Sequence, residues 1–239
     1  NASANPQETY FYSRLQLDIA GNLLRAFNPL MTKDANGSGM IWNTPYSQFV
    51  RGEMTLGRTW VFGRNSGHSI ATRVLAGAGY AYGNSSGLPF EKHFYGGGAN
   101  SLRGWQARTV GPGLSPRDTS FVIPNQTGDM KLEANIEYRF NMFWKVAGAV
   151  FLDAGNVWTL NNKDLEVADE SMFRWKTLGE SIAANWGVGV RLNLGFLLLR
   201  VDMGMKIHDP ARDAGRWVPA GQWLKRENYA LHFGVGYPF

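Results

Sequence analysis

The chain has 239 residues, no cysteine, 29 glycines, 13% aromatic residues and only 18% charged residues, with a formal net charge of +5. Without cysteine there is no disulfide framework and no thiol chemistry. A charge this modest, with both signs present, argues against a nucleic-acid partner and suits an anionic membrane surface. Mean hydropathy is -0.27, and no apolar run reaches the roughly eighteen residues of a membrane-spanning helix. A β-barrel gives the same reading, because only alternate residues of each strand meet lipid. The first residues, Asn1-Ala2-Ser3-Ala4-Asn5-Pro6, have neither the basic nor the apolar part of a secretory leader, so the expectation is a piece of a longer chain.

In chain order, loose alternation of polar and apolar residues covers 9–25, 47–62 and 68–82. It becomes strict over 131–141, where Leu132, Ala134, Ile136, Tyr138 and Phe140 oppose Lys131, Glu133, Asn135, Glu137 and Arg139. It loosens over 144–158, then returns over 182–193, with Trp186, Val188 and Val190 against Asn185 and Arg191. Residues 197–207 set Leu199, Val201 and Met203 against Arg200, Asp202 and Lys206. The last segment, 228–239, puts Tyr229, Leu231, Phe233, Val235, Tyr237 and Phe239 on one face, with Asn228, His232, Gly234, Gly236 and Pro238 on the other. Period-two alternation predicts strands, here about eight of them and each long enough for a tilted membrane crossing.

A soluble β-sandwich would also alternate. Here the polar face carries glycines and charges of both signs, which suits a packed, hydrated lumen. Short turns at 63–67, 141–143 and 193–196 alternate with long loops at about 28–46, 83–128, 160–180 and 208–227. That is the pattern of an outer-membrane barrel with short periplasmic turns and long external loops, and it puts Phe239 on the periplasmic side. Tyr10, Phe11, Tyr12, Trp60, Phe62, Phe143, Trp144 and Trp158 gather near strand ends as aromatic girdles would.

Within the longest loop, residues 96–113 are dense in glycine around Leu102, Arg103, Gly104 and Trp105. A long loop with one arginine and one aromatic at its centre is expected to fold back into a polar cavity. Glu137 and Asp153 lie on the polar faces of neighbouring strands. A buried acid is costly unless paired, and an arginine fork supplies charge-assisted hydrogen bonds. Arg103 is therefore one candidate partner, and Lys131, Arg139 and Arg191 are the alternatives. Other signals are weak: glycines 96–98 lack the Lys-Ser/Thr of a phosphate loop, and His68, His93, His208 and His232 have no metal-ligand spacing. No serine, histidine and acid are paired for catalysis, so neither metal, cofactor nor enzyme activity is expected. The basic, tryptophan-bearing stretch from Asp209 to Arg226 reads as an external loop, expected to be solvated, with contact to anionic headgroups as the alternative.

Several runs together resemble the outer-membrane assembly factor superfamily, also called bacterial surface antigen, whose groups are BamA-like, TamA-like and two-partner secretion transporters. They are Phe94-Tyr95-Gly96-Gly97-Gly98, Ser101-Leu102-Arg103-Gly104-Trp105, Thr109-Val110-Gly111-Pro112, Leu132 to Tyr138, Phe151 to Trp158 and the strand ending in Phe239. The resemblance covers about 83–239. It implies an all-β, antiparallel transmembrane barrel, with residues 1–239 forming part of one barrel domain: the C-terminal half of a barrel of about sixteen strands, without periplasmic repeat domains in this chain. A closed barrel of about eight strands could not house such a loop, and is the lesser expectation. The resemblance also implies that the 83–128 loop enters the lumen and that Arg103 meets Glu137 and Asp153. The tryptophan after Arg103-Gly104 departs from the phenylalanine of the BamA-like group.

By the same resemblance, the activity is assembly and insertion of outer-membrane proteins through a weak seam between first and last strands. The seam would involve Tyr229, Leu231, Phe233, Gly234, Val235, Gly236, Tyr237, Pro238 and Phe239. Partners would be outer-membrane protein precursors, outer-membrane lipid or lipopolysaccharide, and accessory lipoprotein or periplasmic subunits. The alternatives are a polypeptide-translocating pore of the two-partner secretion type and a passive channel.

Overall fold

The computed structural model describes residues 8–35, 37–117, 126–160 and 168–239. Parts of two expected loops, 118–125 and 161–167, lie outside the described residues. The expected alternation produces one eight-stranded sheet. Its strands are β1 (Tyr10–Ala20), β2 (Phe49–Phe62), β3 (His68–Ala81), β4 (Met130–Phe143), β5 (Val146–Trp158), β6 (Ala183–Asn193), β7 (Leu198–His208) and β8 (Tyr229–Val235). Each strand pairs antiparallel with the next in sequence. No ladder joins β1 to β8 among the described residues, so the sheet has two free edges and the small closed barrel is not formed.

The two faces reverse the arrangement of a soluble sheet. Leu17, Val74, Ile136, Val150, Val188, Val201 and Phe233 are exposed on one face, whereas Glu137, Asp153, Arg191 and Asp202 on the other are buried. An exposed apolar surface spanning eight strands is far more than a soluble monomer tolerates, and fits contact with lipid. No helix is long and apolar enough to cross a membrane.

The ends of the sheet depart from expectation. β1 stops at Ala20, not near residue 25, because Gly21 takes φ 82° and opens a short helix, Asn22–Ala26. β8 stops at Val235, since Gly236 takes φ 79° and turns the chain out of the ladder. Tyr237 and Phe239 thus leave the outward row and reach arginines of the polar face, with the Arg139 guanidinium 4.0 Å from the Tyr237 ring centroid and that of Arg73 5.0 Å from Phe239. The girdle is also smaller than expected. Trp158 is fully buried, donates to Ser181 Oγ at 3.0 Å and packs edge-on against Phe173. Tyr10 and Tyr12 share the polar-face parity of Gln16 and Asp18, while Phe11, Trp60, Phe62, Phe143 and Trp144 remain exposed.

Val188 lies at the middle of β6 on the apolar face. Val188→Lys should reduce folding stability in phosphatidylcholine vesicles by about 2–4 kcal/mol, the range for a cation at the bilayer midplane. An unchanged denaturation midpoint would mean that this face does not contact lipid.

Candidate functional site

Register assembles the site. One rung runs Arg73, Asn135, Asp153, Asn185 across β3 to β6, and the next runs Ala71, Glu137, Phe151, Gly187 and then Gly204 on β7. Because each cross-strand pair points to the same face, two acids, an aromatic ring and two glycines converge on one patch. Residues 94–117 lie against it. This segment is held internally by hydrogen bonds from Gly98 N to Trp105 O (2.9 Å), Trp105 N to Leu102 O (3.1 Å) and Arg108 N to Gly96 O (2.9 Å).

Arg103 is at the centre and is fully buried. It donates from Nε to Asp153 Oδ2 at 3.0 Å and from Nη2 to Oδ1 at 2.8 Å, a two-pronged contact, while Nη1 donates to Glu137. Its backbone N also reaches Asp153 Oδ2 at 3.1 Å. Asn135 and Asn185 donate to the two oxygens of Asp153 at 2.9 and 3.0 Å, so this carboxylate is saturated. The guanidinium stacks on Phe151, 3.4 Å from the ring centroid. Burial alone would lower the Arg103 pKa, but the charges of Asp153 and then Glu137 outweigh it and the net shift is upward. The guanidinium is a permanent cation.

Glu137 also serves wall cations: Arg139 Nε donates to it at 2.7 Å and Arg191 Nη2 at 3.1 Å. Arg191 and Arg200 then share Asp202, each at 2.6 Å. Both sequence alternatives for Glu137 therefore coexist, although Lys131 instead pairs with Glu133 at 2.9 Å. Wall groups also grip the loop backbone. Arg200 donates to Ala99 O (2.9 Å), Arg73 to Asn100 O (2.8 Å) and Asn135 to Ser101 O (3.1 Å), and His232 Nε2 meets Arg103 O at 3.1 Å.

The rest of the motif packs beside the ion cluster. Leu102 and Trp105 are buried with Val110 and Ala183, and Lys206 Nζ lies 5.1 Å from a Trp105 ring centroid. Gly104 presses on Asn185, where a Cβ would come within 2.7 Å of the Asn185 Cβ. Gly204 is the tighter point: a Cβ there would lie 2.2 Å from Arg103 O and 2.6 Å from Gly104 N. Only a missing side chain lets the loop backbone lie on β7.

The sequence alone left Phe151, Asn135, Asn185, Gly204, Arg73 and His232 unassigned to the site. Phe151 had a readable signal, a lone aromatic at the polar-face parity of Asp153. The backbone grip had none. Of the expected seam strand, Tyr229, Leu231, Phe233, Gly234 and Val235 lie in β8, which among the described residues pairs with β7 alone, and Gly234 faces Arg200. Gly236, Tyr237, Pro238 and Phe239 lie beyond it. Among the described residues no group of His, Asp and Glu is arranged to hold a metal ion.

Residues 41–239 match the family model for the Omp85 superfamily domain. Over 119 residues the chain is 29% identical to the outer membrane protein assembly factor BamA of Neisseria meningitidis serogroup B (strain ATCC BAA-335 / MC58), covering 48% of this chain and 15% of that protein. Its fold is similar to BamA from Haemophilus ducreyi lacking POTRA domains 1-3, with TM-score 0.53 and 16% identity over 79% of this chain and 35% of the other. CdiB from Acinetobacter baumannii aligns with TM-score 0.45 and 15% identity over 80% of this chain and 27% of that one. The chain thus spans about a third or less of the length of these proteins.

Gly204→Ala should loosen the loop, raising its cleavage by added protease, whereas Gly52→Ala, with open space around it, should leave cleavage unchanged. Equal cleavage of both variants and the parent would contradict the close approach.

Proposed function

The chain belongs to the Omp85 superfamily, and from that premise we propose that it forms part of the barrel of an outer-membrane assembly factor. In this reading it supplies about half of a barrel of about sixteen strands, with another segment completing the wall. β8 is the last strand of the seam, with its far end in the periplasm. The activity is insertion of outer-membrane protein precursors, assisted by accessory lipoprotein or periplasmic subunits.

The observation that carries this reading is the state of β8. It keeps seven residues in the ladder, from Tyr229 to Val235, while neighbouring β7 has eleven. Gly236, at φ 79°, then takes the chain out of the ladder. Backbone groups left unpaired in lipid are costly, so a seam closed by so short a strand exchanges readily for an incoming strand that completes the ladder. The Arg103 cluster fixes the loop to β4 and β5 and, among the described residues, reaches β8 only through His232. Assembly is thus templated pairing, without covalent chemistry or a cofactor.

A second reading draws on the loop itself. Residues 94–117 occupy the polar face where a conduit would run, which suits a gate in a polypeptide-translocating pore or a channel. Client range separates the two. Depleting the protein should lower many unrelated outer-membrane barrels together, whereas loss of one secreted partner alone would contradict assembly. Cysteine is absent from the chain, so Leu231→Cys supplies its single thiol for an engineered disulfide to the first strand of the complete barrel. That staple should abolish growth support, with recovery on reduction; full activity of the oxidised form would remove the seam mechanism.

A further inference from the structure

Apart from Asp209, which pairs with Arg117 and Lys206 at 2.8 and 2.9 Å, the stretch 209–228 takes no part in the site or the seam, yet it does not project freely from the sheet. Trp223 packs on Trp186, with ring centroids 5.1 Å apart and planes at 62°. Trp186 shares its parity on β6 with Val188 and Val190, the lipid-side row, and it pairs across the ladder with Met205 of β7. Met205, on the same face, is only 6% exposed although Val201 further along β7 is 41% exposed. The loop therefore folds outward and over the apolar side of the wall at its long-loop end. Successive same-face residues of a strand are about 7 Å apart, so Trp223 lies one step above the level of Val188, at the rim of the apolar band.

The surface of this flap mixes apolar groups with cations. Trp217 is 71% and Leu224 73% exposed, and Lys225 and Arg226, next in sequence, are also exposed. Trp223 Nε1 donates to Val218 O at 3.2 Å, which closes the segment on itself. The Arg216–Glu180 ion pair, at 3.0 Å, ties it to the neighbouring loop, which adds exposed Lys176. Within this stretch the exposed cations Lys225 and Arg226 stand with the exposed acids Asp213 and Glu227, and the two cations directly follow exposed Leu224. Exposed tryptophan and leucine beside lysine and arginine, set at the edge of a lipid-facing band, match the chemistry of the interfacial layer.

We propose that residues 217–226 form a membrane-surface flap that seats Trp217 and Leu224 in the headgroup layer and binds lipid phosphates through Lys225, Arg226 and Lys176. This rests on the reading of the apolar face as lipid-contacting. The flap joins β7 to β8 and leans over β6, so it holds anionic lipid at the rim above β6 and β7.

The test uses the full chain folded into phosphatidylcholine vesicles, with or without phosphatidylglycerol. A single Leu224→Cys carries an environment-sensitive fluorophore, and a Val188→Cys variant carries the same fluorophore at mid-wall. Brominated lipids should quench both positions, Leu224 from bromines near the headgroup and Val188 from bromines deep in the acyl chain. Enrichment of a fluorescent phosphatidylglycerol around the protein should fall about fivefold for each of Lys225→Ala and Arg226→Ala, equivalent to about 1 kcal/mol per surface cation. Quenching at 188 without quenching at 224, or enrichment indifferent to both substitutions, overturns the flap. No quenching at 188 overturns the lipid reading of the face, and the flap with it.

Discussion

A cation buried between two acids organises this structure. Arg103 reaches Asp153 through two nitrogens and Glu137 through a third, with no part of the three side chains open to solvent. Removing one member of such a cluster leaves an uncompensated buried charge, which costs about 3–5 kcal/mol. The loop cannot leave the wall without exposing or stranding charges on both sides. Specificity comes from geometry as well as charge. A lysine could supply the charge but not the fork on Asp153, nor the planar stack on Phe151. Gly204 then allows the peptide itself to touch β7, so the loop is held by side chains and backbone together.

The polar interior and the apolar exterior follow from one alternation. In water that alternation would put apolar residues inside; here an eight-stranded sheet exposes them and buries its ions. A lipid environment removes the contradiction, because charges on the lipid side are unfavourable while a hydrated, loop-filled interior can pair its own. The same principle makes a free strand edge reactive, since lipid offers no hydrogen bonds to unpaired peptide groups. The middle of the sheet is therefore fixed by Arg103, while its last strand is held by a ladder of only seven residues. The proposed assembly activity needs both.

How much of this was legible depends on range. Strict alternation around Glu137 and in β6 and β7 located the strands and their faces to within a residue or two, because the period is a local property. The strand ends at Ala20 and Val235 were not legible, since one glycine at positive φ can stop a ladder that the residue pattern would continue. Tyr237 and Phe239 look like members of an outward row, and Trp158 looks like a girdle residue. Attraction to lumen arginines and cover by the neighbouring loop decide otherwise, and both are long-range. At the site, Glu137 and Asp153 could be read from phase and burial cost. Asn135 and Asn185 could not, because their role depends on inter-strand register, which a single sequence does not print.

The most direct measurement of the central ion cluster is a double-mutant cycle on unfolding free energy in lipid vesicles, built from Arg103→Met, Asp153→Asn and the pair. If the two groups hold each other in the buried lumen, the double variant should be more stable than the sum of the single losses allows, by about 2 kcal/mol. Losses that add to within about 0.5 kcal/mol would show that Arg103 and Asp153 act independently, and would contradict the loop–wall lock.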